Sequence, residues 1–172
     1  MNTTTRVAML SLFSVAVLAG CKSKAVKEVP PVDTGAGTMP ITDGTTQAGA
    51  YGPNDLDTDS CLRQRAIYFD LDQYTVKPEY QAILSCHAKY LRDRPSSRIT
   101  LEGNTDERGS REYNLGLGER RGNAVSSAVQ VSGGSGGQQT VVSYGEERSV
   151  CSDSNEECWA RNRRVDLVYS AK

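Results

Sequence analysis

Arg98-Ile99-Thr100-Leu101-Glu102 runs into Gly103-Asn104-Thr105-Asp106-Glu107-Arg108-Gly109-Ser110 and on into Arg111-Glu112-Tyr113-Asn114. Ile99 and Leu101 alternate with polar neighbours, the period of a half-buried strand. The residues from Gly103 to Ser110 are polar and read as a loop. A helix follows from about Arg111 to Val129.

Working outward, Ala66-Ile67-Tyr68-Phe69 is a short apolar run that reads as a strand. Pro78 suits a first helical turn, and Tyr80, Ile83, Leu84, His87, Ala88 and Leu91 fall at helical spacing, ending before Pro95. Beyond the central stretch, Thr140 to Tyr144 reads as a third strand, Glu157 to Arg161 as a short helical turn, and Arg164 to Tyr169 as a last strand. The order β-α-β-α-β-(α)-β predicts one α/β sandwich over residues 61–172, with helices on one side of a mixed sheet. Ser132-Gly133-Gly134-Ser135-Gly136-Gly137 lies between helix and strand as a loop. It lacks the order of a phosphate-binding loop.

The start of the chain is different in kind. Residues 1–20 carry one charge, Arg6, and an apolar run from Val7 to Leu18 that is short for a membrane span and suits a signal peptide. From Lys22 to about Asp59, Gly, Thr, Pro, Ala and Asp dominate, and no period of 2 or 3.6 appears. Such composition buries too little surface to offset its ordering entropy, so residues 21–60 are expected to be a flexible tether. A coil of roughly 40 residues reaches about 35 Å on average.

The chain holds 20 basic and 21 acidic residues; loss of Arg6 with the leader leaves a net charge of −2. That balance argues against a nucleic-acid binder. Beyond Cys21 stand Cys61, Cys86, Cys151 and Cys158, which suggest two disulfides in an exported chain and allow three pairings. Cys151 and Cys158 bracket the short polar loop Ser152 to Glu157, which favours closing that loop and leaves Cys61 to Cys86. No two cysteines have the C-x₂-C spacing of zinc sites, so a metal site with His87 is not expected, nor is any cofactor.

The central stretch also carries the candidate site. Asn114, Leu117 and Arg121 are three and four residues apart and share a helix face. If the loop folds over that face, Asp106 and Arg121 lie across a gap, an arrangement suited to a zwitterion: ammonium on the carboxylate, carboxylate on the guanidinium. Spacing alone equally allows the two to pair with each other or with surface neighbours. A hydrolase would need two carboxylates flanking a cleft, whereas Asp106 and Glu107 are adjacent on one loop. His87 lies on the apolar helix face, and neither H-E-x-x-H nor G-x-S-x-G occurs. The chain is therefore not expected to be an enzyme; a binding role for the site is expected instead, with use of the same domain as a receptor or adhesin as one alternative.

Six motifs, in order, bear a family resemblance. They are Tyr68-Phe69-Asp70-Leu71-Asp72, Glu102-Gly103-x-Thr105-Asp106-Glu107-Arg108-Gly109, Glu112-Tyr113-Asn114, Leu117-Gly118-Glu119-Arg120-Arg121, Val142-Ser143-Tyr144-Gly145-Glu146-Glu147 and Asn162-Arg163-Arg164-Val165. Together they resemble the OmpA-like C-terminal domain family, and within it the peptidoglycan-associated lipoproteins of Gram-negative bacteria. Leu18-Ala19-Gly20-Cys21 resembles the bacterial lipobox, which implies a lipidated Cys21, an outer-membrane anchor and a domain facing the periplasm. The resemblance implies non-covalent binding of the diaminopimelate side chain of peptidoglycan, with Asp106 on its ammonium and Arg121 on its carboxylate. It also implies that Asn114 and Leu117 line the helix face and that Glu107, Leu71 and Asp72 flank the pocket. Arg163 and Arg164 take a structural or rim role, and TolB and the other Tol proteins are the implied partners in envelope integrity and cell division. The chain departs from the family pattern at Asn104, where His is usual, and in the glycine content of Val129 to Gln138.

Overall fold

The computed structural model describes residues 49–171. The leader, Cys21 and most of the expected tether lie outside the described residues. Among those described, no helix is long and apolar enough to cross a membrane.

The described chain runs α1 (Asp55–Thr58), β1 (Ala66–Tyr68), α2 (Gln81–Asp93, entered through a 3₁₀ turn at Pro78–Tyr80), β2 (Arg98–Asn104) and α3 (Arg111–Val131). A second 3₁₀ turn at Gly136–Gln138 leads into β3 (Gln139–Gly145), α4 (Glu156–Asn162) and β4 (Arg164–Ala171). The sheet order is β1-β4-β2-β3. β2 and β3 are parallel, joined through α3, and β4 runs antiparallel to both β1 and β2. The sheet is mixed, and the crossover through α3 is the connection that a parallel pair requires.

Alternation along the strands sends one set of side chains to the helices. Ile67, Ile99, Leu101, Val165 and Leu167 meet Leu84, Ala88 and Leu91 of α2 and Val125 and Val129 of α3, all fully buried or nearly so. The opposite face carries exposed Tyr68 and Val168 with the ion pairs Arg148–Glu102 and Arg164–Asp166. His87 is wholly buried, with Nε2 3.0 Å from the Gln64 carbonyl and Nδ1 2.9 Å from the Tyr169 hydroxyl. A carbonyl only accepts, so Nε2 carries the proton and Nδ1 accepts from Tyr169.

Two glycines set where the site forms. A Cβ on Gly103 would lie 2.0 Å from the Gly118 carbonyl oxygen, and one on Gly118 would lie 2.3 Å from Ser143 Oγ. The first half of α3 therefore rests directly on the ends of β2 and β3, over the point where the β2–α3 loop leaves the sheet. Ser110 caps this helix, its Oγ accepting from the Tyr113 amide at 3.2 Å. At the other end α3 runs two residues past the expected Val129. It stops at Gly133, whose φ of 91° places it in the left-handed region.

The expected domain boundary at residue 61 falls too late. Leu56 is fully buried with Leu62 and Tyr90, and Tyr51 packs on this second cluster. The Tyr51 amide donates to Asp93 Oδ2 at 2.9 Å. Tyr51, Leu56 and Leu62 are too widely and unevenly spaced to show a period, so the segment reads as tether although it folds against α2. A disulfide joins Cys61 to Cys86 and staples this segment to the helix; another joins Cys151 to Cys158 in the first turn of α4.

Candidate functional site

At the end of the sheet where α3 begins, a pocket of about 350 Å³ opens. The β1–α2 loop contributes Leu71 and Asp72, the β2–α3 loop Thr105, Asp106 and Arg108, α3 contributes Tyr113, Asn114, Leu117 and Arg121, and Arg163 reaches in from ahead of β4.

Arg121 is fully buried. Its Nε donates to the Gln73 carbonyl at 2.7 Å, Nη2 to Asp70 at 3.0 Å and Nη1 to Asn104 at 2.9 Å, and the guanidinium lies 5.2 Å from the Phe69 ring centre. It thus ties the β1–α2 loop to the end of β2. Three carbonyls occupy three of the five N–H groups of a guanidinium. Burial, then repulsion from Arg163, brings its pKa down to about 10, so it remains a cation at neutral pH.

Asp106 is equally enclosed, but it pairs with Arg108 and Arg163 rather than with Arg121. Arg108 Nη2 meets Oδ2 at 2.7 Å while its Nε and backbone amide each meet Oδ1 at 3.2 Å. Arg163 Nη1 meets Oδ2 at 3.1 Å, its Nε donates to the Phe69 carbonyl at 3.1 Å and its Nη2 to Glu156 at 2.6 Å. Burial by itself would raise the Asp106 pKa, but the hydrogen bonds from Arg108 and Arg163 outweigh it and hold the carboxylate below its usual range.

Of the other expected residues, Asn114 and Leu117 are buried on the same face of α3 and line the pocket, with Asn114 Nδ2 donating to Glu146. Leu71 stands half exposed on the rim. Asp72 adopts a left-handed φ of 56°, which non-glycine residues seldom take, and accepts a hydrogen bond from the Tyr113 hydroxyl across the mouth. Glu107 is not part of the lining. It is exposed and turned toward α4, accepting from Trp159 Nε1 at 3.1 Å and Ser154 Oγ at 3.0 Å. Consecutive loop residues diverge, so Asp106 and Glu107 face different neighbours. Arg164 lies outside the pocket, paired with Asp166 on the open sheet face.

Sequence reasoning missed Arg108, Tyr113 and Thr105 as pocket residues. Tyr113 was within reach, since it precedes Leu117 by one helical turn. Thr105 lines the pocket, and its buried Oγ1 has no hydrogen-bond partner among the described residues. Asn104 Nδ2 donates to the Glu102 carbonyl at 2.9 Å and to Asp166 Oδ2 at 3.3 Å. Among the described residues no cluster of His, Cys, Asp and Glu is arranged to hold a metal ion.

The family model described as "OmpA family" matches residues 68–163. The peptidoglycan-associated lipoprotein of Pseudomonas putida is 42% identical over 164 residues, covering 90% of each chain. That of Pasteurella multocida is 39% identical over 156 residues, covering 91% of this chain and 92% of its own. The crystal structure of the peptidoglycan-associated lipoprotein from Burkholderia pseudomallei superposes with a TM-score of 0.66 at 46% identity, over 67% of this chain and 98% of the other. A family match over more than half of the sequence, joined to relatives this similar over nine-tenths of it, means that the chain belongs to the OmpA family and groups within it with the peptidoglycan-associated lipoproteins.

Proposed function

We infer that the pocket binds the diaminopimelate side chain of the peptidoglycan stem without catalysing a reaction. The observation that carries this reading is that a buried carboxylate, Asp106, and a buried guanidinium, Arg121, line one small pocket without being spent on each other. A zwitterion needs both signs in one enclosed space. Asp106 receives the ammonium, and Arg121, with two N–H groups left over, supplies positive charge for the carboxylate. Leu117 and Leu71 meet the methylene chain. A carboxylate held below its usual range by two arginines is a poor proton donor at neutral pH, which favours binding over acid–base chemistry.

In the cell this reading makes the chain an outer-membrane lipoprotein. Cys21 is its lipid attachment, the residues after it form the tether, and the folded domain faces the periplasm and holds the wall. The family resemblance extends it to TolB and the other Tol proteins as partners in envelope integrity and cell division.

The test changes the ligand rather than the fold. Calorimetric titration with a stem peptide carrying diaminopimelate should show binding. The same peptide with lysine there lacks the distal carboxylate and should bind about tenfold to a hundredfold more weakly. Asp106→Asn should weaken the diaminopimelate peptide by a similar factor. Equal affinity for the two peptides overturns the reading.

A further inference from the structure

Asp106 already holds two cations, and the two are not equivalent. Arg163 is 6% exposed at its side chain and bound at three points, to Asp106, Glu156 and the Phe69 carbonyl. Arg108 is 32% exposed and covers both carboxylate oxygens from the open side. Its remaining contacts do not involve Asp106. Its guanidinium lies 4.1 Å from the centre of the Trp159 ring, and Nη2 is 3.5 Å from Glu156 Oε2. Both partners belong to α4, outside the pocket lining.

We propose that Arg108 is an internal occupant of the ammonium subsite, released from Asp106 and retained by Trp159 and Glu156, which it already touches, when a ligand ammonium arrives. This rests on the pocket being the diaminopimelate site. Three guanidinium groups, Arg108, Arg121 and Arg163, surround the pocket against the carboxylates of Asp72 and Asp106. A ligand ammonium added to that set would be a third cation on Asp106 in an enclosed, weakly screened space, where like charges repel strongly. Exchange keeps the number of cations on Asp106 at two. The indole face and Glu156 stabilise the guanidinium after its release, because a cation over an aromatic ring is attracted to it without further desolvation. Glu107 is involved indirectly: it accepts from the Trp159 ring nitrogen and so fixes the indole plane that retains Arg108.

The exchange has consequences for selectivity. A lone amine must compete with a bidentate guanidinium already in place, whereas a zwitterion adds a second contact to tip the balance. The pocket should thus reject simple amines more strongly than an empty carboxylate would. Affinity for the true ligand is lowered by the strength of the Arg108–Asp106 pair.

Trp159 is the single tryptophan of the chain, so its emission reports on Arg108 directly. The experiment titrates the full chain, purified in detergent, with the diaminopimelate stem peptide, following heat and tryptophan fluorescence together. In the wild type the emission should change saturably with the same midpoint as the heat. Arg108→Gln, at a part-exposed position, should bind about threefold to tenfold more tightly, the worth of one ion pair of this exposure, and its emission should not respond. Trp159→Leu should weaken the wild type and have no effect in the Arg108→Gln background, a coupling that a merely structural tryptophan would not show. The proposal is overturned if Arg108→Gln binds equally or more weakly, or if heat shows binding while wild-type emission stays constant. Absence of binding in both wild type and Arg108→Gln overturns the pocket assignment itself, and the exchange with it.

Discussion

Arg121 and Val125 sit one turn apart on α3, and both are fully buried, yet they are held by opposite means. Val125 lies among hydrocarbon: Leu84, Ala88 and Leu91 of α2 and the inward residues of the sheet. Arg121 is enclosed by backbone carbonyls of Asp70, Gln73 and Asn104 and by the Phe69 ring. The apolar end of the helix tolerates imperfect partners, since dispersion and the hydrophobic effect have no preferred direction. The charged end does not: each N–H must find an oxygen, and each carbonyl loses its partner if the guanidinium goes. One helix thus divides a stabilising half from a binding half, and the close approach at Gly103 and Gly118 marks the binding half.

The largest effect should come from testing that division directly. Arg121→Ala strips three backbone carbonyls, the buried one of Asn104 among them, of their donor and leaves Asp106 with less compensating charge, at a cost of about 3–5 kcal/mol. Val125→Ala removes two methyl groups from the core and should cost about 2 kcal/mol. Urea denaturation of both variants gives the comparison. If Val125→Ala proves the more damaging, Arg121 is a solvated side chain and the division fails.

The core itself contains one polar exception that sharpens the contrast. His87 is buried, and desolvation depresses its pKa from 6.5 to about 4. Between those values the unfolded chain takes up a proton that the folded one refuses. Stability is therefore fully present above pH 6.5, falls as the pH drops through the window and, for this group, levels off below pH 4. The loss amounts to about 3 kcal/mol. His87→Gln should be less stable at neutral pH, having lost a ring that accepts from Tyr169 and donates to Gln64, but flat across that window. A wild-type profile parallel to that of the variant would mean that His87 is protonated in the fold.

The stabilising half was the more legible in sequence, for a reason these two residues illustrate. Leu84, Ala88 and Leu91 announce their shared face by period, and Ile99 and Leu101 by alternation, so strands, helices and their order followed from local pattern. The partners of Arg121 lie 17 to 51 residues away and are main-chain oxygens, which no side-chain pattern encodes. Spacing placed Asn114, Leu117 and Arg121 together because a helix fixes their relation. It could not say that Glu107 turns to Trp159 while Asp106 turns inward, because adjacent loop residues obey no period. Leu56 and Tyr51 escaped notice in the same way: their partner is Tyr90 on a distant helix, and nothing near them repeats.

The smallest effect concerns pH and the binding half. Asp106 is held below the ordinary carboxylate range, Tyr113 is raised above the ordinary phenol by its hydrogen bond to Asp72, and Arg121 titrates at about 10. Asn104, whose carbonyl accepts from Arg121 and whose Nδ2 reaches Asp166, carries no titrating group. Affinity for the stem peptide should accordingly change by less than about twofold between pH 5.5 and 8, since the groups that titrate lie outside that interval. Asn104→His introduces one that can titrate there. Asp166 favours the imidazolium, while burial and the neighbouring Arg121 oppose it, so the histidine charges only toward the acid end. A charge gained there stands against Asp166 on the open sheet face, outside the pocket lining, and should change binding by no more than about twofold as the pH falls. Titrations at three pH values on the two proteins decide the matter. A wild-type affinity that swings tenfold over the interval would show that an ionisable group other than those in the pocket governs binding, and the site would then not be the self-contained charged end that α3 presents.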